Sequence, residues 1–356
     1  MTATALDPER RRAFVRRVLA DSSASMVTTL AVIGDRLGLF RALAAGGPAT
    51  SAELAERAGI VERYAREWLG GMAAAGYLEY DPGTRRFTLP PEHAAALADE
   101  GGPYFYGGVH EMLAALTRQL DGVAAAFREG GGVAQRAYGQ DTWEGMERFS
   151  AGWVENALVG DWLPRLPDVE AMLRAGARVA DVGCGGGRAL CRLAQAFPAS
   201  TYTGYDVFAP AIERARENAR AAGVEGRVRF EQVDAGAPLP GPHDLITTFD
   251  VVHDAADPLG LLRAIRAALA PGGVYVCLDM NCSDRVEENT GPVGSMLHGI
   301  SVLYCLTTSL AQGGAGLGAL GLSEPVLREL CAQAGFSSVR QVDIRNLFNN
   351  LYEIRP

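Results

Sequence analysis

Apolar positions recur at helical spacing over residues 1 to about 150, and from about residue 176 they gather into short runs separated by helical segments. TSAELAERAGI offers a cap at Thr50 or Ser51 and apolar Leu54, Ala55 and Ala58 on one face, predicting a helix. VERYAREWLGGMAAAGYL predicts a second helix, and EYDPGTRRFTL two short strands around an Asp-Pro-Gly turn. Helix, turn, helix and hairpin together make a winged helix. MVTTLAVIGDRLGLFRALA, beginning at Met26, is apolar over most of its circumference, as a helix buried against a partner chain would be. A homodimer is therefore expected.

The second half reads as a different architecture. RVADVG, TYTGYD, RVRFEQVD, DLITTFD and GVYVCLDM alternate with helical segments, which predicts a mostly parallel sheet covered on both faces. SSVRQVDIRNLFNNLYEIRP adds two strands in hairpin order. A connection from Asn281 to Gly321 exceeds the usual few residues and is expected to act as a lid or binding loop. The reading is thus an α/β protein: a helical winged-helix, dimerisation and lid domain over 1–150, and a Rossmann-like catalytic domain over 151–356 with 281–321 as lid.

Composition narrows the partners. A net charge of −9 and a pI near 5.2 argue against duplex nucleic acid. The winged helix points the same way, because Ser51 to Asp99 holds five arginines against eight acidic residues. Its recognition-type helix alternates Glu62, Arg63, Arg66 and Glu67 and has no basic face for phosphates. All 33 basic residues are arginines, so lysine drops out as a candidate base. The six cysteines (184, 191, 277, 282, 305, 331) show no C-x-x-C spacing and read as reduced, mostly buried thiols. No uninterrupted apolar run reaches the ~20 residues a membrane span needs. Near the start, Arg16 and Arg17 fall where the apolar core of an export signal would begin. A cytoplasmic protein without membrane or nucleic-acid partners is expected.

The cofactor chemistry sits in VADVGCGGGR, after the first strand of the sheet, with Gly183, Gly185 and Gly187 permitting a tight turn and close approach to a ligand. Glycines alone are weak evidence, since dinucleotide sites share them. Asp206 ends the second strand, where an acid suits a ribose diol, and Asp234 ends the third, where it can accept from an adenine amine. With DVGCGGG, these acids and the PGG at 271–273, the chain resembles a class I S-adenosylmethionine-dependent methyltransferase over roughly residues 150–356. Its front half is similar to the dimerising domain of small-molecule methyltransferases. The resemblance implies S-adenosylmethionine as cofactor, with Gly183 and Gly185 under its methionyl part. It also implies Asp206, with Val207 beside it, at the ribose, Asp234 and Ala235 at adenine, and Phe249 near the sulfonium.

TFDVVHDAADP puts His253 and Asp254 in the loop after the fourth strand, at the carboxyl edge where an acceptor must sit. His298, in SMLHGISVLY of the long insert, could fold over the same mouth. Two histidines and a carboxylate are a ligand set for iron or zinc. His253 and His298 are the expected ligands, and Asp254 is either the third ligand or the proton acceptor. HD followed by a distant His resembles the metal-dependent C-methyltransferases of α-keto acids. That resemblance implies an α-keto acid substrate whose enolate is stabilised on the metal before its β-carbon is methylated. Arg136, before the sheet, is the expected partner of the substrate carboxylate. The alternatives are a metal-independent O-methyltransferase of a phenolic or polyketide-type metabolite with His253 as general base, and a cofactor-sensing winged-helix regulator. The acidic front half counts against the regulator.

Overall fold

The computed structural model describes residues 6–233 and 237–356. The chain divides into two compact units, Met1–Ala114 with Trp143–Phe149, and Ala115–Thr142 with Ser150–Pro356. The division does not follow one cut near residue 150, because Ala115–Thr142 packs with the sheet unit.

In the first unit a helix runs over Pro8–Arg36, capped by Asp7, whose carboxylate accepts the Glu9 and Arg10 N–H groups at 2.8 and 3.2 Å. The Met26 stretch runs from the last turns of this helix into a second one, Leu39–Gly46, and its Ala31, Val32, Leu39, Phe40 and Leu43 are buried within the chain. The winged helix follows as helices Ser51–Ala58 and Glu62–Ala74 and a hairpin of β1 (Glu79–Asp81) and β2 (Arg86–Thr88). Thr50 and Glu53 form a reciprocal cap on the first of these helices. The core gathers Leu39, Phe40, Leu54, Trp68, Leu69 and Met72. Gly34 is required there, since a Cβ would stand 2.4 Å from the Trp68 ring. Arg148 joins this unit by pairing with Asp35, Glu100 and Glu111, each at 2.7 Å.

The second unit is built on a seven-stranded sheet. Its strands are β3 (Arg178–Val182), β4 (Thr201–Asp206), β5 (Val228–Gln232), β6 (His243–Phe249), β7 (Leu269–Met280), β8 (Ser338–Val342) and β9 (Asn349–Arg355). Their order is β5-β4-β3-β6-β7-β9-β8. The first five run parallel, and β9 lies antiparallel between β7 and β8. Each expected apolar run forms a strand, and both faces are covered: Leu190, Tyr202 and Phe230 pack on one side, Ile246, Tyr275 and Leu327 on the other. Each such fully buried side chain contributes about 1.5–3 kcal/mol. Strand order reverses between β3 and β6. The crevice beyond the carboxyl ends of these two strands is where such sheets bind ligands.

The long connection after β7 is largely helical rather than open. Gly291–Ile300 continues through a π-helical turn, Ser301–Cys305, into Leu306–Ala311. Gly291–Leu310 has the length and mean hydropathy of a membrane span, and half of it is buried within the protein. Its buried polar residues are paired: Thr307 Oγ1 accepts the Val133 N–H at 2.8 Å, and Ser309 Oγ donates to Ala255 O at 3.2 Å.

Candidate active site

The glycine turn leaves β3 with Gly183, Gly185 and Gly187 all at positive φ (71°, 50° and 68°), a conformation that suits residues without a Cβ. The three glycines meet different surroundings. A Cβ at Gly183 would strike Val251 at 2.6 Å, and one at Gly187 would strike Phe230 at 2.5 Å, so these two serve packing. A Cβ at Gly185 would meet nothing within 4 Å, so that peptide faces open space. Its N–H donates to Asp206 Oδ2 at 2.9 Å, while Asp206 Oδ1 accepts the Phe208 N–H at 2.9 Å. Burial pushes the Asp206 carboxyl above its usual range, against these N–H donors. Asp181, buried behind the turn, is pushed up to about 7 by desolvation while Thr247 Oγ1–H donates to it at 2.7 Å.

This arrangement fits a nucleoside cofactor, with an open peptide and a carboxylate at the switch point. Val207, next to Asp206, is 45% exposed at the same edge. Phe249 is half-buried and packs toward Trp162 and Leu351. Asp234 and Ala235, expected at adenine, lie outside the described residues. Asp206→Ala removes the carboxylate expected at the ribose and is expected to weaken cofactor binding by about 10- to 100-fold, the cost of hydrogen bonds to a charged group. Calorimetric titration of the folded variant would show this, and unchanged affinity would contradict the ribose assignment.

The acceptor side is built on one tight turn, Val252–Asp254, after β6. His253 is 1% exposed. Its Nδ1 lies 2.6 Å from Asp279 Oδ1, and its Nε2 lies 3.1 Å from Asp254 Oδ1. Asp279 Oδ1 also accepts the Met280 N–H at 2.8 Å, which fixes the carboxylate to its own strand. Burial disfavours charge on the imidazole, but the Asp279 and Asp254 carboxylates outweigh it and hold His253 well above its ordinary value. Asp250, at φ 57°, is bonded by the Asn349 amide and pushed up to about 8 by burial and by the Asp279 charge. His253 on the turn thus stands between Asp279 of β7 and Asp254, with a third acid, Asp250, close by.

Two expected residues do not join this array. His298 is exposed. On its helix the inward face is taken by Gly294, Leu297, Ile300, Ser301 and Tyr304, and His298 stands about 100° round from Leu297. Among the described residues, the cluster of ligand-type atoms within 4.8 Å is His253, Asp254 and Cys305. The two-histidine set for iron or zinc is therefore not assembled. Arg136 is also exposed, because its short turn aims Gln135 inward, where the Gln135 amide donates to Tyr304 Oη at 3.3 Å. Asp279, which the structure places against His253 Nδ1, is not singled out by the sequence. Its one signal is a lone acid at the end of the otherwise apolar run VYVCLDM. Cys305, Tyr304 and Asn349 carry no signal, since contacts across the fold select them. His243 bonds Pro240 O at 2.8 Å and His93 bonds Tyr77 O at 2.9 Å, both away from this turn.

A glycine turn and acid at the switch point, with a proton-handling array on the next strand of the same edge, define an α/β enzyme that uses a nucleoside cofactor. Residues 25–99 match the Rv2258c-like winged HTH domain and residues 173–309 a methyltransferase domain. The chain is 29% identical over 288 residues to 3-hydroxy-5-methyl-1-naphthoate 3-O-methyltransferase of Streptomyces sahachiroi, covering 75% of this chain and 76% of that one. It is 35% identical to 27-O-demethylrifamycin SV methyltransferase of Amycolatopsis mediterranei over 125 residues, 33% of this chain and 45% of that protein. The mitomycin 7-O-methyltransferase MmcR superposes with a TM-score of 0.73 at 20% identity, covering 98% and 99% of the two chains. Human N-acetylserotonin methyltransferase, solved with its cofactor, superposes at 0.69 with 18% identity, covering 99% of each. The protein belongs to the class I S-adenosylmethionine-dependent methyltransferases and carries an N-terminal winged-helix domain.

Proposed function

We propose that this protein methylates a hydroxyl oxygen of a small phenolic or polyketide-type metabolite, with His253 as the general base. One observation carries the reading: a buried imidazole whose Nδ1 is held by Asp279 and whose Nε2 faces the side where the acceptor enters. A hydroxyl arriving at Nε2 takes the place of Asp254. With one carboxylate against it instead of two, the imidazolium releases its Nε2 proton to solvent as the acceptor enters, and the neutral Nε2 then accepts the hydroxyl proton as the oxygen attacks the methyl group. S-Adenosylmethionine supplies the electrophilic methyl group. The chain orients the oxygen and keeps water away, as the near-complete burial of His253 favours.

The naphthoate and mitomycin enzymes named above are O-methyltransferases by name, which agrees with this reading. Carbon methylation of an α-keto acid calls for a second imidazole and a carboxylate-binding arginine. His298 and Arg136 both face outward instead. The acids on either side of His253, Asp254 and Asp279, repel rather than hold a carboxylate.

The deciding experiment is incubation with the cofactor and a panel of hydroxylated aromatics, polyketide phenols and α-keto acids, scored by product mass and by the position of the new methyl. Methylation confined to the keto acids would overturn the reading.

The functional unit in this reading is a homodimer. Residues 6–26 are exposed, among them Phe14, Val15, Val18 and Leu19, and apolar side chains gathered along an exposed helix are what a partner chain covers. Light scattering should give twice the 37.7 kDa chain mass, and a monomer at micromolar concentration would refute it.

A further inference from the structure

Cys305 closes the π-helical turn Ser301–Cys305 and is buried, together with Ser301 and Tyr304 of the same turn. π-Turns within helices often mark functional positions, because the extra residue redirects the side chains that follow. Here the redirected thiol reaches the base: ligand-type atoms of Cys305, His253 and Asp254 lie within 4.8 Å of one another. The Asp254–Nε2 contact is an ion pair at 3.1 Å rather than a directed hydrogen bond, and Asp254 Oδ1 is buried without a hydrogen-bond partner among the described residues. The carboxylate that covers the base therefore needs a neighbour to hold its direction.

We infer that Cys305 is a positioning residue of the proton-transfer site, its thiol hydrogen directed at the Asp254 carboxylate and steadying it over His253 Nε2 until an acceptor hydroxyl displaces it. Burial and the Asp254 charge push the thiol up to about 12, so it remains S–H, a donor rather than a nucleophile for the methyl group. The surrounding groups are accounted for by element. Asp254 lies in the same turn as His253, and Asp250 precedes it at the end of β6. Asp279 comes from β7 and Cys282 from just beyond it, while Tyr304 stands beside Cys305 with its phenol facing the Asp254 charge. Asp254 is the only one of these acids paired with Nε2, so its placement governs when that nitrogen is available.

The test compares C305A and C305S in the full-length protein, using the pH dependence of kcat and KM for a methylated acceptor. It rests on the oxygen-methylation reading only for its rate measurement. A second measurement, the NMR titration of the His253 ring with S-adenosylhomocysteine bound, needs no turnover, so failure of one reading is separable from failure of the other. With its holding donor gone, Asp254 drifts from Nε2 and the imidazole releases its proton more readily. C305A is expected to move the acidic limb of kcat/KM, which reports the enzyme before the acceptor displaces Asp254, and the ring titration to lower pH by about one unit. Relative to its plateau, kcat/KM one unit below the wild-type midpoint then rises about 5-fold. C305S, which restores a donor, should return both toward wild type. If alanine does not fold, C305V replaces it, since valine is close in size and has no donor. An unmoved limb and titration in a folded variant would overturn the inference. So would stoichiometric zinc or iron in the wild-type protein that is lost in C305A, which would make the cluster a metal site.

Discussion

Replacing His253 by alanine is expected to lower turnover by about 10²- to 10⁴-fold, the usual contribution of a positioned general base, with cofactor affinity left within about twofold. The expectation follows from the separation of labour in the sheet unit. Gly185 and Asp206, the expected cofactor residues, are joined at the ends of β3 and β4, and His253 belongs to the turn after β6. Single-turnover rates with a hydroxylated acceptor, beside calorimetric titration of the cofactor, would check both halves. Loss of cofactor binding along with activity would contradict the assignment of His253 to the acceptor side. The companion variant His298→Ala should keep near-normal turnover, since that imidazole faces outward. Abolished turnover in that variant would return the two-histidine arrangement to contention.

The second large effect is expected from Asp279→Asn. Asparagine keeps the shape and removes the charge that lies 2.6 Å from Nδ1. Turnover should fall by about 10- to 100-fold, as when outer-sphere partners of functional histidines are changed. The pH profile carries the sign. His253 is held above its ordinary value by two carboxylates against the opposing effect of burial, so the neutral imidazole needed as base appears only as pH rises through that elevated value. Removing one carboxylate lowers it. The acidic limb of kcat should therefore move to lower pH even as the plateau falls. A limb that stays in place would mean that Asp279 does not act on the imidazole, and a limb that moves upward would reverse the electrostatic account.

Much of this chain is legible in its residues alone. The strand runs, the winged helix and the glycine turn are local statements, made by spacing and by residues with special backbone freedom. His253 can be singled out because the loop after the fourth strand has a known place in a parallel sheet. The two misplaced residues share a cause. His298 and Arg136 lie near, along the chain, a mouth that they could cover. Whether a side chain on a helix or short turn points in or out depends on which face the core claims. Leu297, Ile300 and Tyr304 claim one face of the His298 helix, and Gln135 takes the inward position beside Arg136. Nor does any local pattern announce that Cys305, 52 positions beyond His253, shares its pocket.

By itself, then, the sequence determined the architecture and the cofactor edge, because hydrophobic period, turn glycines and strand-end acids act over a few neighbouring residues. The tertiary structure decided which side chains meet on the acceptor side. Charges and proton positions depend on distances between residues remote in the chain, and burial sharpens those interactions by removing the water that would screen them. Asp279, His253 and Asp254 become one array only when β6 and β7 lie side by side.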